Sequence, residues 1–421
     1  MSAPEILFYV IVGILVADYI LGRILEYLNA KNISLELPGE LKGIYNEEEY
    51  KKSQQYEIDN QKMSLVTSTF NLIVILLLLM FDGFAFVDQV ARSITSNPIL
   101  IPLIFFGILM FAFDIINTPF AVYDTFVIEQ KYGFNTTTVK TFITDKLKGW
   151  LLSAILGGGL LALVVWFYHV TGDMFWIYTW ILITLFSVFM TMFYTQWLLP
   201  LFNKLSPLEE GELKSSIFSF SRKAGFNLKD IFVMDGSKRS TKANAFFSGL
   251  GRKKKIILFD TLIDELKKNE IVSVLAHEIG HYKKKHTMAN LGLSVIQTGI
   301  TLYILSLFIG NPVLSQALSV SQPSFHIGLI TFGLLYSPIS TVIGIAMNNL
   351  SRKFEYKADE FAIAFGLGND LIEALKRLSV KNLSNLTPHP VYVFVNYSHP
   401  PLLERLRYLK ASTRNAGNDE N

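Results

Sequence analysis

Residues 65–86 read "LVTSTFNLIVILLLLMFDGFAF". Asp82 is the one ionisable group in the run. A helix needs about 20 apolar residues to cross the hydrocarbon core of a bilayer, so this run reads as a membrane span. Working outward, six further runs have the same character, at 6–22, 99–122, 150–170, 175–198, 289–310 and 326–349. Only 17% of the chain is charged, whereas a soluble domain usually carries about 25%. The first run has no basic start, contains Asp18 and is followed by no small-residue cleavage site. It is expected to be a retained helix and not a signal peptide. The absence of cysteine excludes disulfides, thiolate metal sites and a cysteine nucleophile. A formal charge of +3 does not point to nucleic acid.

The basic residues set the expected orientation. None precedes Arg23, none lies between Trp150 and Asn203, and none lies between Thr287 and Leu350. Between Met63 and Gln130 there is only Arg92. All the others fall in alternate connections: 23–62, 131–148, 204–285 and the tail from Arg352. Lys and Arg concentrate on the cytoplasmic side. Seven spans, with the N-terminus outside and the C-terminus cytoplasmic, satisfy this with Arg92 as the exception.

The expected organisation is therefore spans one to five with their connections in 1–201, a cytoplasmic segment in 202–287, spans six and seven in 288–350, and a second cytoplasmic segment in 351–421. The two cytoplasmic segments together could share a core. In the first, "LEEGELKSSIFSFSRKAGF" (208–226) has an amphipathic helical pattern. "DIFVMD", "NAFFSGL" and "KKIILFDTL" are short strand-like runs. The last ten residues, "STRNAGNDEN", read as a disordered tail.

"KNEIVSVLAHEIGHYKKKH" (268–286) reads as a helix capped by Asn269, with Ile271, Val274, Leu275 and Ile279 on one face. Residues four apart share a helix face, so His277 and His281 can bind one ion. Glu278, offset by about 100°, is better placed to hold a water than to be a ligand. This is the arrangement of zinc peptidases, two imidazole ligands and a carboxylate base. The alternative is a solvated helix that happens to carry two histidines. Gly280 inside the helix costs stability, which points to close packing there.

A catalytic metal needs a third ligand, and no cysteine can serve. Directly after the seventh run, "SRKFEYKADEFAIAFG" offers Glu355 as that ligand. Asp359, one turn on, would accept a hydrogen bond from a ligand imidazole. The alternative is a solvated charged face, which suits Arg352, Lys353 and Lys357. Asp114 and Asn117 lie in the third run; they would face either a water-filled interior or a hydrogen-bonding partner on a neighbouring helix.

The chain resembles the type I CAAX prenyl endopeptidases, integral-membrane zinc metalloproteases with seven spans. The resemblance covers nearly its whole length. It rests on "VYDTFVIEQKYGFN" (122–135), "MDGSKRSTKANAFFSGLG" (234–251), "VLAHEIGHYKKKH" (274–286), "SRKFEYKADEFA" (351–362) and "NYSHPPLLERL" (396–406). It implies a mainly α membrane protein, seven helices around a chamber, capped by a cytoplasmic α+β zinc protease domain. It implies one zinc ion per chain held by His277, His281 and Glu355, with Glu278 as the base. By the same resemblance Asn244 helps hold substrate backbone, and His399 stabilises the oxyanion. The implied substrates are prenylated or otherwise membrane-anchored proteins ending in Cys-aliphatic-aliphatic-X. Water, activated by zinc and Glu278, removes their last three residues with no covalent enzyme intermediate. "NAFFSGL" could be an edge strand that pairs with an extended peptide.

The terminal "GNDEN" is neither a lysine-based nor a KDEL-type retention signal, so a bacterial inner membrane fits as well as the endoplasmic reticulum. Two other functions share some of these features. One is a quality-control membrane metalloprotease that clears misfolded or stalled membrane proteins. The other is a seven-span receptor or transporter with a structural zinc, which has no need of Glu278.

Overall fold

A computed structural model describes the chain except for residues 35, 38, 40, 41, 250–254 and 419–421. Leu250 and Gly251, at the end of one of the motifs above, are therefore outside the described residues. The membrane half begins with α1 (Ala3–Lys31), α2 (Glu47–Met80), α3 (Gly83–Ile94) and α4 (Leu100–Tyr123). It continues with α5 (Val139–Leu152), α6 (Gly158–Thr171), α7 (Phe175–Trp197) and the single turn α8 (Leu199–Phe202). π-helical turns link α4 to the following connection (Asp124–Glu129) and α5 to α6 (Ser153–Gly157).

Among the described residues six helical stretches are long and apolar enough to cross a membrane. One of them, Val139–Phe202, is 64 residues long and holds two of the seven spans. It reverses at Gly172, whose φ is +53°. Phe167 meets Tyr178 at 5.6 Å between ring centroids, although a straight helix would hold them about 16 Å apart. Val342, Leu185 and Ile73 are large apolar side chains left exposed on the long helices.

The second run ends earlier than its composition implies. α2 stops at Met80, Asp82 takes a left-handed backbone (φ +55°), and residues 83–94 form the separate amphipathic helix α3. Asp88, Arg92 and His326 explain that helix and the basic exception together. Arg92 Nε donates to Asp88 at 2.9 Å, and its guanidinium reaches Ser324 Oγ. His326 Nε2 lies 2.7 Å from Asp88, and both are nearly fully buried. Asp114 finds its partners on a neighbouring helix, Lys146 at 2.8 Å and Trp150 Nε1 at 2.9 Å.

The remaining elements build the protease layer and the last two spans. α9 (Glu212–Lys223) lies between the first and second strands of a four-stranded sheet made of β1 (Leu205–Pro207), β2 (Asp230–Met234), β3 (Ala245–Ser248) and β4 (Lys255–Phe259). Its order is β1-β2-β4-β3, with β2 and β4 parallel and the outer strands antiparallel. β3 is thus an edge strand. α10 (Asp260–Glu265) leads to α11 (Lys268–Lys283), which carries the histidine pair, and then to α12 (His286–Phe308). α13 (Pro312–Gln316) precedes α14 (Phe325–Ala364), a helix of 40 residues that runs unbroken from the seventh apolar run to Glu355 and Asp359. α15 (Gly368–Lys381), α16 (Pro390–Asn396) and α17 (Leu402–Asn418) complete the chain.

One apolar core joins these pieces: Ile217, Leu258, Leu275 and Ile279 pack with Ala362, Leu371 and Leu406. Two local expectations change. The cap of α11 is Lys267, not Asn269, because Glu270 reaches back to the Lys267 N–H at 2.9 Å. Of the stretch expected to be a disordered tail, the backbone from Ser412 is helical through Asn418, and residues 419–421 lie outside the described residues.

Candidate metal centre

α11 and α14 cross at Gly280. A Cβ added there would meet Phe361 Cβ at 3.0 Å and the backbone of Ala358 at 3.1 Å. That contact brings the histidines of α11 against the carboxylates of α14. His277 Nε2 and His281 Nε2 are 3.1 Å apart. Glu355 Oε1 is 3.2 Å from His281 Nε2, and Glu355 Oε2 is 3.4 Å from His277 Nε2.

Those three separations test whether an ion fits. A tetrahedral ion with bonds of about 2.05 Å needs ligand atoms about 3.3 Å apart. The triangle has that size, and its donors are two imidazoles and a carboxylate. Glu355 Oε2 is buried with no hydrogen-bond partner, Arg405 Nη1 being 3.5 Å away, a costly condition that a bound cation would relieve. Among the described residues His277, His281 and Glu355 are the group that could hold a metal.

The surroundings fix the ring orientations. His277 Nδ1 lies 2.8 Å from Asp359 Oδ1, so this nitrogen carries the proton and Nε2 presents its lone pair. Arg405 holds Asp359 from the other side, with Nε at 3.0 Å and Nη2 at 2.6 Å. Arg405 Nη2 is also 3.4 Å from His277 Nδ1, but two donors face each other there and the contact is no hydrogen bond. Burial alone would lower the basicity of the His277 ring; the carboxylates of Asp359 and Glu355 outweigh it and raise the metal-free ring to about 9. Burial likewise disfavours the Arg405 charge, and Asp359 more than offsets it. The site therefore has an anionic field that attracts a cation.

Each residue expected at the site is near it. Glu278, half-buried, lines a cavity of about 1060 Å³ together with His277, His281, Glu355, Asn244 and His399. His399 sits at the rim, its side chain 64% exposed and its Nε2 3.3 Å from Glu355 Oε1. Asn244 heads β3, and its carbonyl accepts from the Phe259 N–H at 3.1 Å. The cavity lies where the edge strand meets the membrane helices, since Tyr194 of α7 and Asn290 of α12 also line it.

Four residues to which the sequence reading gave no part in the site support it. Arg405 lies inside a quoted motif, but only the fold reveals its bond to Asp359. Arg352 is not a solvated charge: it donates to the carbonyls of Val393, Phe394 and Tyr397 and so holds the loop that carries His399. Asn382 brackets the backbone of Ala243, accepting from its N–H at 3.0 Å and donating to its carbonyl at 3.2 Å. His286 places Nδ1 3.1 Å from His281 Nδ1. Of these, Arg352, Arg405 and His286 lie in quoted motifs, but only His286, a third histidine close after the pair, is a residue type that itself points to a metal site.

Fold and site together define an integral-membrane metalloprotease. Residues 26–204 match the family model described as CAAX prenyl protease N-terminal, five membrane helices, and residues 207–413 match peptidase family M48. The chain is 34% identical over 406 residues to the CAAX prenyl protease 1 homolog of Arabidopsis thaliana, covering 94% of this chain and 96% of that one. It is 32% identical to CAAX prenyl protease 1 of Saccharomyces cerevisiae, covering 95% and 94%. Its structure is similar to the crystal structure of S. mikatae Ste24p, with a TM-score of 0.90 at 32% identity over 96% of this chain and 98% of that one. The chain belongs to the CAAX prenyl proteases of peptidase family M48.

Proposed function

We propose that this chain is a zinc endopeptidase that removes the terminal tripeptide from prenylated, membrane-anchored CAAX proteins. The observation that carries this reading is the His277–His281–Glu355 triangle, of tetrahedral-edge size, in the wall of a cavity bounded by an edge strand and membrane helices. The metal is one zinc ion, since the donors are nitrogen and oxygen and the histidine spacing is that of zinc peptidases. When bound, zinc lowers the pKa of water to about 7 and polarises the scissile carbonyl.

The chain's own residues do the rest. The outer edge of β3 pairs with an extended C-terminal peptide, and Asn244 holds the peptide backbone where the strand begins. Glu278 takes the proton from the attacking water and returns it to the leaving amine. His399 donates to the oxyanion that develops on the carbonyl. Asp359 keeps His277 in the tautomer that leaves Nε2 free. The N-terminus lies outside and residues 202–287 and 351–421 form a cytoplasmic protease domain, as the basic residues demand.

The test is a farnesylated CAAX peptide incubated with zinc-loaded protein and read by mass spectrometry, beside Glu278→Gln. Release of the tripeptide by wild type, reduced about 10²–10⁴-fold in the variant with zinc content unchanged, is the expected result. No release by either protein would remove the CAAX substrate and direct the same assay to unprenylated membrane proteins.

A further inference from the structure

Metal-binding histidines usually donate their second ring N–H to an acceptor that fixes tautomer and orientation. His277 has Asp359 for this. His281 has no carboxylate in that position; the hydrogen-bond partner at its Nδ1 is another imidazole, that of His286. The two Nδ1 atoms are 3.1 Å apart and the rings meet edge to face, at 76°. His281 Nε2 faces Glu355 and His277, so its proton belongs on Nδ1. His286 must then accept through its Nδ1 lone pair and carry its own proton on Nε2.

The pairing does not follow from helical spacing. On one continuous helix residues five apart lie about 140° apart around the axis and do not meet. Here α11 ends at Lys283, and Lys285 adopts a left-handed backbone, φ +60°. That conformation is uncommon for a residue with a side chain. It turns the chain so that α12 begins at His286 with its ring folded back over His281. Phe354 then clamps the new position. Its ring stacks on His286 at 4.1 Å and 9°, one residue before Glu355 on α14. His286 is 3% exposed, so the ring is held by its neighbours.

We propose that His286 is a positioning residue for the metal, an imidazole acceptor that holds His281 in its ligand tautomer and orientation. This rests on the zinc reading of the site. It also explains why the break between the motif helix and the sixth span falls where it does: the turn at Lys285 delivers the acceptor.

The experiment is zinc affinity of the full-length protein in detergent, by competition with a chelator, for wild type, Glu355→Ala, His286→Phe and His286→Asn. His286→Phe keeps the stacking on Phe354 and loses the acceptor. His286→Asn places an amide oxygen near the lost Nδ1. The expected result is about 10–100-fold weaker zinc binding for His286→Phe, with metal-free thermal unfolding unchanged and His286→Asn close to wild type. If His286→Phe does not fold, His286→Ala is measured with and without added imidazole, which should restore affinity. Wild-type affinity in His286→Phe, equal loss in His286→Asn, or no recovery with imidazole would overturn the proposal while Glu355→Ala still loses zinc. A wild-type protein that takes up no zinc would overturn the metal reading and this inference with it.

Discussion

At the scale of single residues, the site is a set of charges that are tolerable only together. Asp359 is fully buried between His277 and Arg405. Replacing it by Asn keeps the shape but removes the charge, weakens the acceptor for His277 and leaves the buried Arg405 guanidinium with only its longer, 3.5 Å contact to Glu355. Asp359→Asn should therefore lower metal affinity about 10–100-fold, read by chelator competition, and also lower the unfolding midpoint. An unchanged midpoint would mean that Arg405 finds another partner. His277, His281, Glu278 and Glu355 were legible in the sequence because helical spacing and the end of an apolar run place them. Arg405 and Arg352 were not. An arginine on a charged helix reads as solvated, and only the packing of α14 with α16 and α17 reveals what each one holds.

At the scale of elements, the crossing of α11 and α14 decides whether the site exists. Gly280 is the point of closest approach, and Ala358 offers backbone there, which cannot move aside as a flexible side chain could. Gly280→Ala should destabilise the protein by about 1–3 kcal/mol through overpacking, despite the better helix propensity of alanine. The same change should reduce metal content at limiting zinc. A rise in the unfolding midpoint would show that the helices separate freely. Element types were readable from apolar runs, but some of their ends were not. "FDGFAF" continues the hydropathy of the second run, yet Asp82 and Gly83 break the helix at Phe81 and start a new one. In α14 the apolar run stops near Asn349 while the helix continues to Ala364, because one face of its last turns, Glu355, Ala358, Asp359 and Ala362, is buried while Lys353, Lys357 and Glu360 stay exposed.

At the scale of the whole molecule, the metal centre joins segments far apart in the chain, and a bound ion should stabilise their assembly. Removing it with a chelator should lower the unfolding midpoint, by the equivalent of about 4 kcal/mol for an ion present at 1,000 times its Kd. Glu355→Ala should lie at the lower midpoint and show no response to the chelator. The alternation of basic residues made the spans countable from sequence, and its single exception has a local cause in the Asp88–Arg92–Ser324 contacts. The resemblance implied a chamber, but the place of the 1060 Å³ space between edge strand and spans is set by the fold, since no residue type marks such a volume. The unbroken helix α14 has one more consequence. Glu355 stands five residues beyond Leu350, which at 1.5 Å per residue is about 8 Å along a stiff rod. The apolar run and the metal ligand are thereby one rigid piece, with Glu355 held at a set distance from the end of the run.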